Sequence, residues 1–375
     1  MNPASLLASA NSQTAWIEEH LRDLVLTESP SEDRDAVNAA SGLVEGWAVA
    51  LGAVSNRNKI NDFGDIVELS FGTGPASLLV LGHLDTVWPK KTLESMPWKV
   101  ENGCFWGPGV LDMKAGVVMA LAAAKLLKES SLSHSFKLLV NSEEEVGSPV
   151  SRAFTEHLAL GSKAVLVLEP AQGLAYKTSR RGVGHYVIEV RGVASHSGVD
   201  FEHGHSAIRE LARVIETTSN FTDPGKNRTV NCGVISGGTR SNVVAEYARC
   251  EVDVRVASAA DARIVDALFR SLKPLNPHCL LRLTGGINRP PMERSEGTVR
   301  LFKMAQDLAA EMGFELDEAA TGGGSDGNFT AALGIPTLDG MGAVGAGAHA
   351  AHEHVVIEHI APRTALLAAM IASLS

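Results

Sequence analysis

The sequence predicts an α/β fold in which a smaller α+β domain is inserted into a larger α/β domain. With 375 residues the chain is longer than a usual single domain. Helix and strand patterns alternate up to about Lys177, follow the order β-α-β-β-α-β from residue 182, and become helical again after Pro290 and Pro291. We therefore expect a first domain formed by residues 1–181 and 290–375, and an inserted domain formed by residues 182–289.

Three apolar runs in the first domain are typical of strands that are buried on both faces. LLVLGH ends at His83, KLLVNSEEE ends at residues 143–145, and AVLVLE ends at Glu169. Such runs indicate a parallel sheet covered by helices. Because ligands bind outside the carboxyl ends of strands in these sheets, the three ends predict one common site. An amphipathic helix at the start, a buried helix ALAAAKLLK after Asp112 and a final helix TALLAAMIASL complete this domain.

The inserted segment predicts a split ferredoxin-like domain. Its order is HYVIEVRG (strand), HSAIRELARVIETT (helix), RTVNCGVIS and YARCEVDVRV (strands), DARIVDALFRSL (helix) and CLLRLTGG (strand). A four-stranded antiparallel sheet with helices on one face leaves edge strands or helices free to pair with a second copy of the chain, so we expect a homodimer.

Composition narrows the function. The net charge is -10 and no block of Lys or Arg occurs, which disfavours a nucleic-acid-binding protein. No apolar run reaches the length of a membrane span. The opening residues lack the basic region of a signal peptide, so we expect a cytoplasmic protein, with export of a longer precursor left open. The four cysteines show no C-x-x-C spacing, so neither a zinc knuckle nor a disulfide framework is indicated. A small N-acyl amino acid or peptide substrate fits best.

The strand ends predict bound metal, because several carboxylates at the edge of an apolar core are costly unless cations compensate them. In His83-Leu84-Asp85 the side chain of Asp85 lies on the same side of the extended segment as the imidazole of His83 and can orient it. Asp112 follows the loop GPGVL and is the best placed carboxylate to serve two ions, although a helix N-cap is the alternative. The acidic triplet at 143–145 has a solvated turn as its alternative.

Coordination numbers favour two zinc ions, since each takes about four ligands and a bridging carboxylate counts twice. One glutamate of the triplet is then left over as a general base. From spacing alone the late histidine stays open among three positions. The available ligands are His83, Asp112, Glu145, Glu169 and one of His349, His352 and His354.

Nine motifs occur along the chain in an order that resembles one known family. They are GHLDTVWP, GPGVLDMKAG, NSEEEVGS, LEP, GVASHSG, GGTRSNVV, DVR, GGGSDGNF and GAHAAHE. The family is that of the co-catalytic zinc peptidases and deacylases, which includes glutamate carboxypeptidase, aminoacylase, acetylornithine deacetylase and succinyl-diaminopimelate desuccinylase. The likeness covers nearly the whole chain and looks closest to the glutamate carboxypeptidase branch. It implies a phosphorylase/hydrolase-like α/β/α metallopeptidase domain with an inserted ferredoxin-like dimerisation, or lid, domain.

The resemblance also implies roles for the residues at the strand ends. His83, Asp112 and Glu169 would hold one zinc ion. Asp112, Glu145 and His349 would hold the other, with Co²⁺ or Mn²⁺ as possible substitutes. Glu144 would be the general base, Asp85 would assist His83, and the peptide bond after Asp112 would be cis. The ligand before proline is Glu169, whereas the aminopeptidase branch uses Asp, which favours carboxypeptidase or deacylase chemistry.

Substrate-binding positions follow from the same resemblance. His196 would stabilise the tetrahedral oxyanion across a dimer, with an idle histidine in a turn as the alternative. Asn242 and Arg255 would bind the substrate amide and α-carboxylate; without the resemblance Arg255 is a residue on a sheet surface. Lys177 and Arg289 would bind an acidic side chain. Gly323 and Gly324 of GGGSDGNF complete the expected substrate-binding set.

Together these features predict a di-zinc hydrolase that releases a C-terminal amino acid, with glutamate favoured, from N-acyl or peptidyl substrates such as folate-like aroyl-glutamates. An N-acyl-amino-acid deacylase of the aminoacylase or acetylornithine deacetylase type is the alternative within the same chemistry. A catalytically silent binding protein is the alternative from another class.

Overall fold

The computed structural model describes residues 2–74, 76–132 and 134–375. These residues pack into two compact units. The larger unit comprises Met1–Ser179, Arg294–Thr321 and Ser325–Ser375, and the smaller comprises Arg180–Glu293 and Gly322–Gly324. Packing thus assigns the segment Gly322–Gly324 to the smaller unit, although it is distant from that unit in sequence.

Two helices of the larger unit, α4 (Ala115–Glu129) and α10 (Ile360–Leu374), are apolar, and their side chains are buried on nearly all sides. A helix that is apolar all round belongs in a core. No described helix is both long and apolar enough to cross a membrane. The helices are α1 (Pro3–Ser12), α2 (Thr14–Leu26), α3 (Arg34–Ala50), α4 (Ala115–Glu129), α5 (Ser151–Leu160), α6 (Ala207–Ser219), α7 (Ala259–Arg270), α8 (Glu296–Glu311), α9 (Gly327–Ala332) and α10 (Ile360–Leu374).

The opening segment, predicted as one amphipathic helix, forms two helices, α1 and α2. Gln13 separates them with a backbone φ of -96° and ψ of 1°, outside the helical range. Its side chain donates a hydrogen bond from Nε2 to Glu129 Oε2 at 3.0 Å, which ties the break to the end of α4. A contact so distant in sequence is not visible in the local pattern.

The strands form a six-stranded sheet in the larger unit, a four-stranded sheet in the smaller unit, and short accessory pairings. They are β1 (Val54–Asn58), β2 (Ile66–Phe71), β3 (Leu78–His83), β4 (Lys99–Glu101), β5 (Cys104–Trp106), β6 (Phe136–Asn141), β7 (Ala164–Val167), β8 (Tyr176–Arg180), β9 (Gly182–Arg191), β10 (Thr229–Gly237), β11 (Tyr247–Val256), β12 (Leu280–Arg289), β13 (Glu318–Thr321), β14 (Thr337–Leu338), β15 (Gly345–Ala346) and β16 (His354–Val356).

The six-stranded sheet has the order β1-β2-β6-β3-β7-β14. The three strands predicted from the apolar runs, β3, β6 and β7, are adjacent and parallel, and β14 continues the parallel part. The sheet as a whole is mixed, because β2 pairs antiparallel with both β1 and β6. His83 lies opposite Asn141, so the chain leaves β3 and β6 at the same edge. The predicted convergence of strand ends is confirmed.

The smaller unit has the predicted order of elements and an antiparallel sheet in the order β10-β11-β9-β12. Alternate residues of β11 are buried, which is typical of a sheet with helices on one face. Tyr186 and Phe269 stack in this core with ring centroids 4.1 Å apart. The ferredoxin-like prediction is confirmed.

Candidate metal centre

The first candidate ligand group lies at the carboxyl edge of the parallel strands. His83 ends β3, Glu169 follows β7, and Asp112 lies on the loop that leads into α4. His83 Nε2 is 3.3 Å from Asp112 Oδ1 and 3.7 Å from Glu169 Oε1. One ligand atom from each residue lies within 4.8 Å of those of the others, a spacing that suits a metal ion.

The second group shares Asp112 with the first. His349 Nε2 is 3.4 Å from Asp112 Oδ2 and 3.1 Å from Glu145 Oε2. The ligand atoms of these three residues also lie within 4.8 Å of one another. The two carboxylate oxygens of Asp112 therefore face different histidines, which is the arrangement that a bridging carboxylate requires.

Two buried atoms indicate that the cluster is built for a cation. His83 Nε2 and Asp112 Oδ1 are inaccessible to solvent, and neither has a hydrogen-bond partner among the described residues. Buried polar atoms without partners are rare in proteins because they lose their hydration without compensation. Imidazole nitrogens and carboxylate oxygens are ligands that zinc accepts. The residues present thus fit divalent cations.

The electrostatics of the protein without a cation point the same way. Burial lowers the pKa of His83, but the carboxylates of Asp112 and Asp85 outweigh it and raise this pKa well above its usual value. Hydrogen bonds that His349 donates to the carboxylates of Asp112 and then Glu145 raise the pKa of His349 to about 10. Burial raises the pKa of Glu145. The cluster thus attracts positive charge, which metal ions supply when they displace protons from ligands.

Asp85 contacts residues of both candidate ligand groups. His83 Nδ1 is 3.0 Å from the backbone carbonyl of Asp85 and 3.4 Å from its Oδ1. The backbone N–H groups of Glu144 and Glu145 donate to the two carboxylate oxygens of Asp85 at 3.0 and 3.1 Å, and Ser31 Oγ donates to Oδ2 at 2.7 Å. One carboxylate therefore fixes the orientation of an imidazole and the position of the acidic turn.

The three consecutive glutamates have different surroundings. Glu143 is fully buried and accepts hydrogen bonds from the backbone N–H groups of Val150 and Ser151, at the start of α5. Glu145 belongs to the second ligand group. Glu144 lies between them and is half-buried. The first of the three thus stabilises a helix terminus, and Glu144 is left beside the ligands.

The late histidines also separate. His349 belongs to the second group and has a backbone φ of 61°, in the left-handed region, on a turn between β15 and β16. His354 Nδ1 lies 2.8 Å from the carbonyl of His352, and its ring packs on Trp106 at 4.5 Å. The peptide bond between Asp112 and Met113 is cis, as the resemblance implies.

In the smaller unit the structure brings His196 and Asn242 together on exposed backbone. Residues His196 and Val243 form an antiparallel bridge, and the N–H of Ser197 donates to the carbonyl of Asn242 at 3.0 Å. Both side chains are exposed. They lie where a ligand can reach them.

Arg255 is already engaged in this structure. Its Nε and Nη2 atoms donate to the two carboxylate oxygens of Asp253 at 2.9 Å each, and Nη1 lies 3.4 Å from the carbonyl of Gly322. A carboxylate ligand at this guanidinium would have to compete with Asp253 for the two parallel N–H donors.

The glycine segment of the smaller unit is held by an arginine that the sequence patterns did not single out. Arg180 Nη1 donates to the carbonyls of Gly323 and Gly324 at 3.2 and 3.1 Å. A Cβ atom at position 324 would lie 2.8 Å from side-chain atoms of Arg289 and Val183, so a side chain there would collide. Arg289 is itself 5% exposed at the end of β12.

Lys177 lies in the larger unit on β8 and is 8% exposed. Its backbone pairs with Asp339 in both directions, at 2.7 and 3.1 Å. A Cβ atom at Gly340 would lie 3.1 Å from the Cγ atom of Lys177, so the side chain packs along this glycine.

Comparison with known proteins identifies the family. The model of Peptidase family M20/M25/M40 matches residues 79–373, which is most of the chain. The chain belongs to Peptidase family M20/M25/M40.

Individual relatives agree with this assignment. Carboxypeptidase G2 of Pseudomonas sp. (strain RS-16) is 30% identical over 377 residues, covering 97% of this chain and 90% of the relative. Acetylornithine deacetylase of Salmonella heidelberg (strain SL476) is 26% identical and covers 73% of this chain and 76% of the relative. The crystal structure of the aminopeptidase PepT from Bacillus cereus matches with a TM-score of 0.81 and 20% identity, covering 96% of this chain and 98% of that one.

Membership in the M20/M25/M40 peptidases makes the chain a zinc-dependent hydrolase. The suspected family, the fold class and the expectation of an enzyme are thereby confirmed, and the reading as a catalytically silent binding protein is set aside. The number of metal ions and the substrate are finer questions.

Two residues of this M20/M25/M40 peptidase were not identified from the sequence patterns, although they contact residues of the candidate metal centre. Ser31 donates to Asp85 from a segment 54 residues earlier. Glu353 lies in the motif GAHAAHE, four positions after His349, and its carboxylate contacts the loop of Asp112. Its position in that motif was the one available signal.

Proposed function

We propose that the chain is a two-metal hydrolase that cleaves an amide bond and releases a C-terminal amino acid, with glutamate favoured, from N-acyl or peptidyl substrates. The observation that carries the proposal is the pair of ligand groups that share Asp112. Folate-like aroyl-glutamates are the first substrates to test, because the resemblance assigns Lys177 and Arg289 to an acidic side chain.

Two Zn²⁺ ions per subunit are the proposed cofactors, with Co²⁺ or Mn²⁺ as substitutes. When bound, such a pair polarises the scissile carbonyl and lowers the pKa of the attacking water. The proposed ligands are His83, Asp112 and Glu169 for one ion, and Asp112, Glu145 and His349 for the other.

Glu144 is the proposed general base. Its backbone N–H is fixed by Asp85, and it follows in sequence a glutamate that caps a helix and precedes one in the ligand group. A carboxylate in this position takes a proton from the attacking water and returns it to the leaving amine, which contributes about 10²- to 10⁴-fold to the rate in enzymes of this kind.

The proposed substrate contacts are those that the resemblance implies. His196 stabilises the tetrahedral oxyanion and Asn242 binds the substrate amide. Arg255 binds the α-carboxylate in exchange for its contact with Asp253, and Lys177 and Arg289 bind the acidic side chain. Gly323 and Gly324, whose carbonyls accept hydrogen bonds from Arg180, complete the proposed substrate-binding set.

A substrate panel tests the proposal. Release of free amino acid is measured from matched N-aroyl-glutamate, N-acetyl-glutamate and N-acetyl-ornithine substrates, with Zn²⁺ added and with a chelator present. Chelator-sensitive release that is fastest from the aroyl-glutamate supports the carboxypeptidase reaction. Absence of release from every substrate by the zinc-loaded protein would contradict it.

The second candidate is an N-acyl-amino-acid deacylase. It is favoured by the 26% identity to an acetylornithine deacetylase. The same panel decides, because preference for the small acetyl group over the aroyl group would assign the protein to this reaction.

A homodimer is part of the proposal. Strand β10 is at the edge of its sheet and exposes Val234 and Ile235 by 54% and 60%. Ile208 on α6, 45% exposed, lies beside Gly238 at the end of the same strand. An unpaired edge with exposed apolar side chains is suited to pairing with a second chain. We expect Ile235→Lys to convert the dimer to a monomer in sedimentation equilibrium; a wild-type monomer would contradict the proposal.

The cytoplasmic location stays a prediction from the sequence.

A further inference from the structure

Glu353 is a buried carboxylate that the proposed hydrolysis does not use. Its side chain is 1% exposed and accepts hydrogen bonds from the backbone N–H groups of Gly109, Leu111 and Asp112 at 2.9, 2.9 and 3.1 Å. The indole of Trp88 donates to it at 2.8 Å. Each of its two oxygens therefore receives two donors, and all four donors lie on segments that surround the metal centre.

The contacts suit a carboxylate that acts only as an acceptor, because all four partners are donors. A buried carboxylate is costly without such donors, and hydrogen bonds to a charged acceptor are stronger than those between neutral groups. Four donors of fixed direction make this an anchor for the loop that presents Asp112.

The same residue ends the turn that presents His349. The backbone N–H of Glu353 donates to the carbonyl of Ala350 at 2.9 Å, and that of Ala350 donates to Gly347 at 2.8 Å. Strand β16 begins at the next residue, His354. Glu353 thus joins, through its backbone and its side chain, the segments of two candidate ligands whose side chains approach to 3.4 Å.

We propose that Glu353 is a positioning residue for the metal centre, which sets the separation of Asp112 and His349 and so determines affinity for the second cation. The inference rests on the proposed function, because it requires Asp112 and His349 to be ligands. Loss of the anchor should weaken binding of the second ion most, because Asp112 and His349 are both ligands of that ion. Of these two residues, only Asp112 is a ligand of the first ion.

The test is the variant Glu353→Gln, which preserves the size of the side chain. Whichever way its amide is turned, the NH₂ group faces two N–H donors, so two of the four hydrogen bonds are lost. Metal-free protein is titrated with Co²⁺ and followed by visible absorption, and Zn²⁺ affinity is measured by competition with a chromophoric chelator. We expect affinity for the second ion to fall by about 10- to 100-fold, the usual effect of removing a group that orients a ligand. The absorption bands of that ion should change, and the first ion should be affected less.

Two further variants control the experiment. Glu358→Gln alters a glutamate that is 78% exposed five residues later and should bind both ions as the wild type does. Trp88→Phe removes one donor and should weaken the second ion by a smaller factor than Glu353→Gln does. If thermal unfolding shows that Glu353→Gln is not folded, Trp88→Phe decides by the same criteria.

The outcomes separate the two proposals. If folded Glu353→Gln binds two ions with the affinities and spectra of the wild-type protein, the inference is overturned and the proposed function still stands. Wild-type protein that binds no more than one ion would overturn the shared metal site, and the inference with it.

Discussion

The candidate metal edge of the larger unit and the proposed substrate-binding residues of the smaller unit are organised differently. At the metal edge His83 is 1% exposed, and its contacts lead to Asp85, Asp112 and Glu169. In the smaller unit His196 is exposed and its neighbours are mainly backbone. The first set is held together by mutual charge and burial, whereas the second set is arranged for a ligand that comes from solvent. Substitutions in the first set should therefore remove metal, and those in the second should spare it.

Removal of the shared carboxylate should have the largest effect. In Asp112→Ala both ligand groups lose a member, so we expect the metal content measured by mass spectrometry to fall from two ions per chain to none and hydrolysis to fall below detection. Asp62→Ala, at an exposed position of the same unit, should retain both ions. Two bound ions in Asp112→Ala would show that the groups do not share this residue.

Neighbouring glutamates should respond in opposite ways. Glu144→Ala should retain both ions and lose about 10²- to 10⁴-fold in kcat, the contribution of a general base. Glu143→Ala should retain turnover but lower the free energy of unfolding by about 1–2 kcal/mol, because α5 loses a capping acceptor. Zinc analysis, kinetics and denaturant unfolding on both variants check this. Near-normal turnover by zinc-loaded Glu144→Ala would remove it from the mechanism.

His196→Ala should lower kcat by about 10²- to 10³-fold while KM and metal content change little, since an oxyanion donor acts on the transition state. His203→Ala, whose side chain is 81% exposed in the same unit, is the matched control. If His196 acts across a dimer, mixing His196→Ala with Glu144→Ala subunits should restore activity. Metal loss in His196→Ala would blur the distinction between the two regions.

Arg255→Lys should have the smallest effect of this series. Lysine cannot present two parallel N–H donors, so KM should rise about tenfold, equivalent to one charge-assisted hydrogen bond. Arg249→Lys, on the same face of β11, should leave KM unchanged. A substrate with an amidated α-carboxylate should not distinguish the variant from the wild type; an equal rise in KM for that substrate would remove the carboxylate contact from the account.

The edge that carries the candidate ligands was predictable because its strands follow local patterns. The apolar runs identify β3, β6 and β7, and residues at or just after their ends meet at one edge whatever the rest of the chain does. The local pattern did not reveal the role of Glu143, since that role depends on the start of α5. Glu145, a predicted ligand, contacts a histidine 204 residues away. The choice of His349 came from the resemblance, and its geometry agrees with that choice.

Contacts between residues far apart in the chain could not be predicted from the sequence. Glu353 meets Asp112 across 241 positions, and Arg180 meets Gly323 across 143. The pairing of Arg255 with Asp253 is local, but whether the fork faces its neighbour or a substrate depends on side-chain conformation rather than on strand pattern. The fold and the clustering of the candidate ligands were therefore predictable, and the residues that hold them in place were not.

Anomalous diffraction from zinc-loaded crystals, recorded on either side of the zinc absorption edge, tests the central claim most directly. The account predicts two anomalous peaks in each chain, one among His83, Asp112 and Glu169 and one among Asp112, Glu145 and His349. A single peak that does not contact Asp112, or no peak at this edge of the sheet, would contradict it.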